Sequence, residues 1–501
     1  MKKYILLAAL LVPSFASAQN AFDALRYSQV NYQGTARSMG LGNAMTALGG
    51  DFGAITINPA GSALYPYSEI SFTPYIGSNA SEVVYQGQYT DDRISRAGIS
   101  HVGYVGSLPT GRGTGAVGVT FAVGYNKVQD FTSRTSVKVN GATTSWLTPV
   151  AEQANGFASA DMEYGDNYNP YFDSGASWRS ILAWNTYLLD LLPETTDQYI
   201  AGTENLDGTS IYVGGPLDQR FSKESSGSVG EYLLNMGLNV GDRVYLGASA
   251  TFQSIYYKGF ERFTETTQDP SAFQTGLEEY THTYDQTTNG VGFNLKVGVI
   301  VLPTHNLRIG MSISTPTWTR LSEEWQETIS AYYTEGNNED KSPLGFINYN
   351  VRTPMHLNLG FAYTFGNAGL ISVDYEGVNY RSMHLKGVDD PYLFEDVNEA
   401  IQNPESTFQY ANNLRVGGEI RLNPMVLRAG YSFYDKPEAS YDNTHIASAG
   451  IGFRNGNGFF TDLGLAYRLK EKETFSLYNE EIYGTNQLSN LKVLLTLGWR
   501  F

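Results

Sequence analysis

Apolar residues occupy every second position in many segments of the chain that follows Tyr67. The final segment is the clearest example, and its intervening positions include Lys492, Thr496 and Arg500. Its apolar positions are Leu491, Val493, Leu495, Leu497, Trp499 and Phe501. Because successive side chains of a β-strand point to opposite faces, this period of two predicts strands with one apolar and one polar face.

Fourteen segments carry this pattern, and an even strand number is typical of bacterial outer-membrane barrels. The predicted strands are residues 68–76, 97–109, 114–128, 228–240, 243–257, 289–302, 305–318, 350–365, 369–383, 410–422, 425–436, 445–454, 459–470 and 490–501. Short turns alternate with long loops between these strands. In outer-membrane barrels the short turns lie at the periplasmic end and the long loops at the external end. The sequence therefore predicts an all-β fold, a 14-stranded antiparallel transmembrane β-barrel with long extracellular loops.

The amino-terminal residues have the basic start, short apolar run and small side chains (Ala16, Ala18) of a secretory signal peptide. We expect cleavage near Ala18 and a mature protein among the lipids of the bacterial outer membrane. No later stretch reaches the roughly eighteen consecutive apolar residues of a membrane helix, and a closed barrel is the other structure that satisfies its backbone in lipid. The predicted domains are a signal peptide (1–18), a hatch (19–67) and the barrel (68–501).

The segment from Gly34 to Ala63 is too rich in glycine and alanine to build a large core of its own. Asn58 precedes Pro59, which favours an extended turn because the residue before proline is pushed out of the helical region. Small side chains also allow a segment to pass through a crowded interior. We predict that residues 19–67 form a plug, or hatch, inside the barrel lumen.

The largest predicted external loop, residues 129–227, contains an apolar stretch at helical spacing, which predicts a short helix over 178–192. In one interpretation this helix packs the loop down as a lid. In the other, part of its surface receives an apolar ligand outside the membrane. The candidate ligand-binding residues are Trp178, Ile181, Leu182, Trp184 and Leu188.

Charged side chains occupy many of the polar strand positions and are predicted to face the lumen. They include Lys296, Arg308, Arg352, Arg415, Glu419 and Arg428. These groups could form ion pairs and hydrogen bonds that hold a plug, or they could line a pathway for small solutes or a carboxylate head group. Because an apolar molecule would not readily cross such a lumen, an apolar cargo would need a separate exit.

Composition excludes several classes of function. The 501-residue chain has no cysteine, so it can form neither disulfides nor thiolate metal sites. Its formal net charge of −17, without a basic run, argues against a nucleic-acid partner. The six histidines are scattered without metal-binding spacing. We therefore expect no enzymatic activity, no cofactor and no metal site.

The hatch segment resembles that of the FadL family, outer-membrane transporters of long-chain fatty acids and other hydrophobic compounds. The matching residues are Arg37, Gly40, Gly42, Asp51, Asn58, Pro59, Ala60 and Gly61. The resemblance implies that these residues form the hatch and take part in its gating. The stretch from Leu427 to Tyr431 adds a second match. The resemblance implies that a ligand is caught outside and leaves sideways near a kink in the third strand, where Gly118 and Gly124 could permit a bend.

The expected function is passive, hatch-gated uptake of hydrophobic compounds such as long-chain fatty acids. The expected partners are a hydrophobic small molecule, outer-membrane lipids and the barrel assembly machinery, which would recognise the ending at Phe501. Two alternatives remain open on the sequence alone. One is a surface adhesin or structural porin-like barrel, and the other is a haem-binding outer-membrane receptor.

Overall fold

The structure, a computed structural model, describes residues 15–479 and 481–501. The predicted signal peptide lies outside these residues except for positions 15–18, which begin the first helix. Among the described residues, no helix has the length and apolar character needed to span a bilayer.

Within these residues, fourteen strands form a closed antiparallel wall in which each strand pairs with the next and the last pairs with the first. In chain order they are β1 (Glu69–Tyr85), β2 (Gln88–Pro109), β3 (Ala116–Asp130 and Ser133–Ala142), β4 (Leu217–Val240), β5 (Val244–Thr267), β6 (Leu277–Val301), β7 (Leu307–Ser314 and Trp318–Tyr333), β8 (Gly345–Arg352 and His356–Thr364), β9 (Gly369–Asn379 and His384–Gly387), β10 (Tyr410–Leu422), β11 (Met425–Tyr434), β12 (Thr444–Arg454), β13 (Phe459–Phe475) and β14 (Gly484–Arg500). The predicted fold class is confirmed.

The alternation of side chains along β14 matches the predicted outer face. The six apolar side chains from Leu491 to Phe501 are between 36% and 64% exposed. The intervening Thr496 is buried, with 1% of its surface exposed, because it faces the lumen. An apolar outer face around a polar interior is the arrangement that a barrel needs in lipid.

Several strands are longer than predicted at their external ends. β1 runs to Tyr85 and β2 begins at Gln88, so most of the predicted loop 77–96 is a paired hairpin. β5 likewise continues to Thr267. Beyond the bilayer a strand needs no apolar outer face, so the hydropathy pattern ends although the backbone pairing continues.

One predicted lumen residue, Arg352, lies on the opposite face of its strand. Val351 is buried in the lumen with 1% of its surface exposed, whereas the next side chain, Arg352, is exposed. The prediction that Arg352 faces the lumen was therefore wrong. The strand is interrupted between Arg352 and His356, around Pro354, and this interruption shifts the alternation by one position.

The hatch lies inside the lumen and almost all of it is buried. It consists of helices α1 (Phe15–Ser28), α2 (Ala36–Gly40) and α3 (Phe52–Ile57), followed by a 3₁₀ helix (Pro59–Leu64). Capping interactions define these short turns. Apolar side chains of the hatch, among them Leu41, Met45 and Leu48, also form a small cluster that is completed by two residues of the wall.

The external loops add further short elements. The helices are α4 (Leu147–Ala154), α5 (Pro170–Asp173), α6 (Trp178–Asn185) and α7 (Glu395–Gln402), with 3₁₀ turns at Ser159–Met162, Pro270–Ala272 and Tyr380–Ser382. Small hairpins pair Leu189–Leu191 with Tyr199–Ala201 and Glu204–Asp207 with Ser210–Val213. A further strand, Gly336–Lys341, forms an antiparallel hairpin with the end of β7.

The predicted helix over 178–192 is observed only as α6. It ends where Tyr187 adopts a left-handed conformation with φ of 60°. The next apolar residues, Leu189–Leu191, form a strand. Helical spacing of apolar residues therefore continued past the true end of the helix.

The reversed orientation of Val351 and Arg352 predicts opposite effects of substitution. Val351→Asp buries a carboxylate among apolar side chains, and we expect it to lower the free energy of unfolding by more than about 3 kcal/mol. Arg352→Leu, on the outer face, should change it by less than about 0.5 kcal/mol. Urea titration of the two purified variants, followed by tryptophan fluorescence, measures both. The orientation would be refuted by a larger loss in Arg352→Leu.

Candidate functional site

Wall side chains complete the backbone hydrogen bonds of the hatch. Each donates to a carbonyl of the hatch backbone. The pairs, with donor first, are Ser100 Oγ to Gly34 (2.8 Å), Ser432 Oγ to Gly42 (2.8 Å), Arg308 Nη1 to Leu48 (2.8 Å), Lys296 Nζ to Thr56 (3.0 Å), Ser312 Oγ to Ile57 (2.7 Å) and Asn235 Nδ2 to Pro59 (3.1 Å). The hatch is thus bound around much of the wall.

Asn58 and Asp51 fold the hatch onto itself. The Asn58 side chain donates to the carbonyl of Thr46 (2.7 Å), and its Oδ1 accepts from the N–H of Ala60 (3.0 Å), capping the 3₁₀ helix that Pro59 begins. Asp51 caps α3 and accepts from the hydroxyl of Thr35 (2.8 Å). These predicted hatch residues therefore hold turns together.

Arg37 connects the hatch to a charged network of the wall. Its Nε lies 3.3 Å from Glu419, and its Nη1 donates to the carbonyl of Gly50 at 3.3 Å. Glu419 also accepts from Arg428 (2.8 Å), which in turn binds Asp462 (2.6 Å). Predicted hatch and lumen residues thus meet in one network.

Glycines of the wall make room for the hatch backbone. At five of them an added Cβ would fall between 1.9 and 2.3 Å from a hatch atom, far inside contact distance. These residues, here called the glycine belt, are Gly247, Gly298, Gly310, Gly417 and Gly430. Sequence reasoning missed them, although they lie at lumen-facing positions of the predicted strands, where alternation could have identified them.

The predicted hatch glycines also lie in tight places. A Cβ on Gly40 would approach the Cα of Gly450 at 3.2 Å, and Gly42 has φ of +61°. Gly61 packs against Gly49, because a Cβ added to Gly61 would lie 3.2 Å from the Gly49 Cα. Ala60 is fully buried between the hatch and the wall. Larger side chains would displace the backbone at each position.

Two further lumen charges form buried pairs. Lys296 lies 2.7 Å from Glu231. Arg415 is fully buried, lies 3.3 Å from Glu376 and donates to Asn358 at 2.7 Å. Because these cations pair with wall carboxylates or bind the hatch, the arrangement favours the interpretation in which they hold a plug.

The five candidate ligand-binding residues of the external loop lie together. Ile181, Leu182 and Leu188 are fully buried in an apolar cluster, while Trp178 and Trp184 are partly buried against it. This packing favours the lid interpretation for most of α6. A ligand could contact the tryptophans without opening the cluster.

The backbone pairing between β2 and β3 stops partway along the strands, towards their external ends. Their paired residues run from Pro109–Gly118 only as far as His101–Asn126. Among the described residues, positions 88–99 of β2 pair with β1 but with no residue of β3. The outer half of β3, Ser133–Ala142, pairs with β4 instead. Backbone pairing therefore ends beside Ile99, whose exposed side chain belongs to the apolar outer face. The unpaired stretch beyond it, here called the lateral gap, is bridged by side chains, since Gln88 exchanges hydrogen bonds with the backbone of Asn140.

Tyr75 covers this gap from the lumen side. It lies on β1 and passes over Gly98 of β2, where an added Cβ would be 2.8 Å from its ring. Its hydroxyl donates to Asp130 (2.9 Å) and accepts from Lys127 (2.6 Å), both on β3. No pattern in the sequence indicates this contact, because it joins strands that are not neighbours.

An apolar chamber lies inside the external half of the barrel, next to the gap. Its wall includes Val128 and Phe131 of β3, Tyr257 of β5 and Tyr349 of β8. The hatch residues that precede Gly34, here called the amino-terminal arm, fill this chamber with Ala21, Leu25 and Tyr27. The backbone N–H of Asn31 then donates to the carbonyl of Val128 (2.7 Å), at the edge of the gap. The arm therefore occupies the space beside the lateral opening.

No group of three or more metal-ligating side chains occurs among the residues that the structure describes. No protein-family model matches the chain, and no curated protein matches it either. Solved structures do match it along nearly its whole length.

The toluene transporter TodX of P. putida is 13% identical, with 94% of this chain and 99% of that chain covered and a TM-score of 0.54. The chain has the fold of FadL-type transporters. A FadL homologue from Pseudomonas aeruginosa is 10% identical over 95% of this chain and 100% of that one, with a TM-score of 0.54. The Ralstonia pickettii toluene transporter TbuX is 14% identical over 94% and 99%, with a TM-score of 0.51. The resemblance drawn from the hatch residues is confirmed at the level of the fold.

The glycine belt predicts that a single methyl group loosens the hatch. In Gly310→Ala the new Cβ would lie 2.2 Å from the carbonyl oxygen of Thr46, so the hatch backbone must move. We expect amide hydrogen exchange in residues 41–63 to become at least about tenfold faster, which corresponds to roughly 1.4 kcal/mol. Gly118→Ala is the control, because its Cβ meets nothing closer than 3.7 Å. Equal exchange in the two variants would rule out this seating of the hatch.

Proposed function

We propose that the protein is an outer-membrane channel for the passive uptake of small hydrophobic compounds, which leave sideways between β2 and β3. The lateral gap beside an apolar chamber is the observation that carries this proposal. The similar solved structures, two toluene transporters and a FadL homologue, support an apolar cargo. Recognition of the ending at Phe501 by the barrel assembly machinery stays a prediction.

The charged lumen argues against a straight path through the hatch. An apolar compound on that path would have to displace buried ion pairs such as Lys296–Glu231 and the hydrogen bonds that bind the hatch to the wall. Leaving such groups unpaired costs several kcal/mol for charged partners. The lateral gap leaves the Lys296–Glu231 pair and the bond from Lys296 to the hatch in place.

The amino-terminal arm is the part of the hatch that we assign to gating. Its apolar side chains fill the chamber, so an apolar ligand can replace Leu25 and Tyr27 with contacts of the same kind. The rest of the hatch, residues 34–64, is bound to the wall by many polar contacts that an apolar ligand cannot replace. Gating in this proposal is therefore a competition between ligand and arm for one chamber.

The external loop that carries α5 and α6 offers a surface for first contact with a ligand. Phe172 and Tyr164 are 61% and 58% exposed. The Phe172 ring meets Trp178 edge-on at 5.9 Å between centroids, and Trp178 lies 5.7 Å from Trp325. Exposed aromatic side chains of this kind bind apolar molecules with little loss of conformational entropy. We assign the predicted ligand contact of Trp178 to this surface.

The arm hypothesis predicts different effects of the same substitution at two buried leucines. Leu25→Ala should weaken the packing of the arm by about 2 kcal/mol or more and speed uptake at least about fivefold. Leu48→Ala, equally buried but outside the arm, should leave the rate within about twofold. Uptake of an apolar fluorescent probe into proteoliposomes measures both. Faster uptake in Leu48→Ala alone would place the gate in the body of the hatch, and no change in either would exclude gating by the arm.

The cover over the gap predicts a second change in uptake. Tyr75→Ala removes the ring that passes over Gly98, so we expect faster uptake of the same probe by several-fold, on the order of 1 kcal/mol in barrier height. Tyr75→Phe keeps the ring and loses only the bonds to Asp130 and Lys127. It should resemble the unmodified protein more closely. A lateral exit at this point is contradicted if Tyr75→Ala transports no faster than Tyr75→Phe.

A further inference from the structure

A cavity of about 400 Å³ opens at the short-turn end of the barrel, on the side of the hatch away from the apolar chamber. It adjoins the turns that follow Thr364, Leu422 and Arg454. Six of the seventeen residues around it are arginines. Those that line this basic cavity are Arg37, Arg308, Arg421, Arg428, Arg454 and Arg500.

Carboxylates balance only part of this charge. Among the described residues, five of the six arginines form ion pairs, and they share three carboxylates: Glu419, Asp462 and Glu69. Glu419 alone receives three of these arginines on its two oxygens. Three guanidinium charges therefore lack a carboxylate of their own, in a chain whose formal net charge is −17.

Arg308 shows the imbalance most directly. Its Nη1 donates to the carbonyl of Leu48 at 2.8 Å. Its Nε is buried and has no hydrogen-bond partner among the described residues. A buried guanidinium donor without an acceptor is costly, so the site is arranged to receive one.

The arginine side chains are held in fixed orientations. Arg454 and Arg500 stack on Phe460, with 4.9 and 4.8 Å between each guanidinium carbon and the ring centroid. Arg428 is almost fully buried between Glu419 and Asp462. Guanidinium groups that are oriented in advance bind phosphate and carboxylate oxygens in pairs and lose little entropy on binding.

We propose that the basic cavity binds a small, multiply charged oxyanion that carries phosphate or carboxylate groups and comes from solution at the short-turn end. The proposal does not rest on the proposed transport function, because the hatch separates the cavity from the apolar chamber. An anion there would contact Arg308 and Arg421 of the wall together with Arg37 of the hatch. It would therefore strengthen the attachment of the hatch to the wall.

Calorimetric titration of the full-length protein in an uncharged detergent at low salt tests this, with pyrophosphate as the probe. We expect saturable binding of one pyrophosphate per chain. The double variant Arg308→Gln, Arg421→Gln should bind at least about tenfold more weakly, since it removes two charged hydrogen-bond donors from the cavity. Arg243→Gln removes an exposed arginine from the same end of the barrel but outside the cavity, and it should bind within about twofold of the unmodified protein.

A second probe separates a free anion from a lipid head group. Glycerophosphoglycerol, a singly charged phosphodiester, should bind more weakly than pyrophosphate. Tighter binding of the diester would overturn the proposal in favour of a head-group site. Absence of saturable pyrophosphate binding, or an equal loss of affinity in Arg243→Gln, would overturn it as well. If the double variant does not fold, the single variant Arg421→Gln carries the comparison, since that side chain is 39% exposed.

Discussion

A segment of short, interrupted helices can fill a barrel only if other groups complete its backbone hydrogen bonds. The hatch meets this requirement through the wall: side chains such as Arg308, Lys296 and Ser312 donate to carbonyls of its backbone. Those bonds need a close approach of backbone to wall, and the glycine belt permits that approach. The charged side chains and the glycines of the lumen face therefore both serve to hold the hatch in place. A polar lumen is for this reason no evidence by itself of a polar cargo.

The same requirement explains how backbone pairing can stop between β2 and β3. Unpaired strand edges are excluded from lipid, but they are tolerated where protein covers them. Here the Asn31 backbone satisfies the carbonyl of Val128, and side chains such as Ser136, which donates to Asp92 at 2.6 Å, join the two edges farther out. Tyr75 closes the inner side. The opening is thus covered by contacts that can separate one by one, unlike a continuous ladder of backbone bonds.

Much of the fold could be predicted because lipid imposes a pattern on the sequence. The membrane-facing alternation located the fourteen strands, and the small-residue segment before them indicated the hatch. The pattern failed where lipid no longer acts, at the external extensions of β1 and β5, and where Pro354 reversed the phase of Val351 and Arg352. The site was less predictable, because Tyr75 acts across Gly98 on a partner two strands away. Such contacts depend on register and barrel closure, which a single sequence does not contain.

The hatch also separates two chemically opposite compartments. The apolar chamber and lateral gap lie on the side of the long loops, and the basic cavity lies at the short turns. An apolar compound that binds in the apolar chamber would be disfavoured in the basic cavity, because the arginines of the cavity would lose water and anions without gaining a partner. In the proposed route, a molecule that leaves through the gap would enter the apolar bilayer directly and would not meet those charges. The polar lumen would then help to direct apolar compounds sideways, since it makes the straight path the unfavourable one.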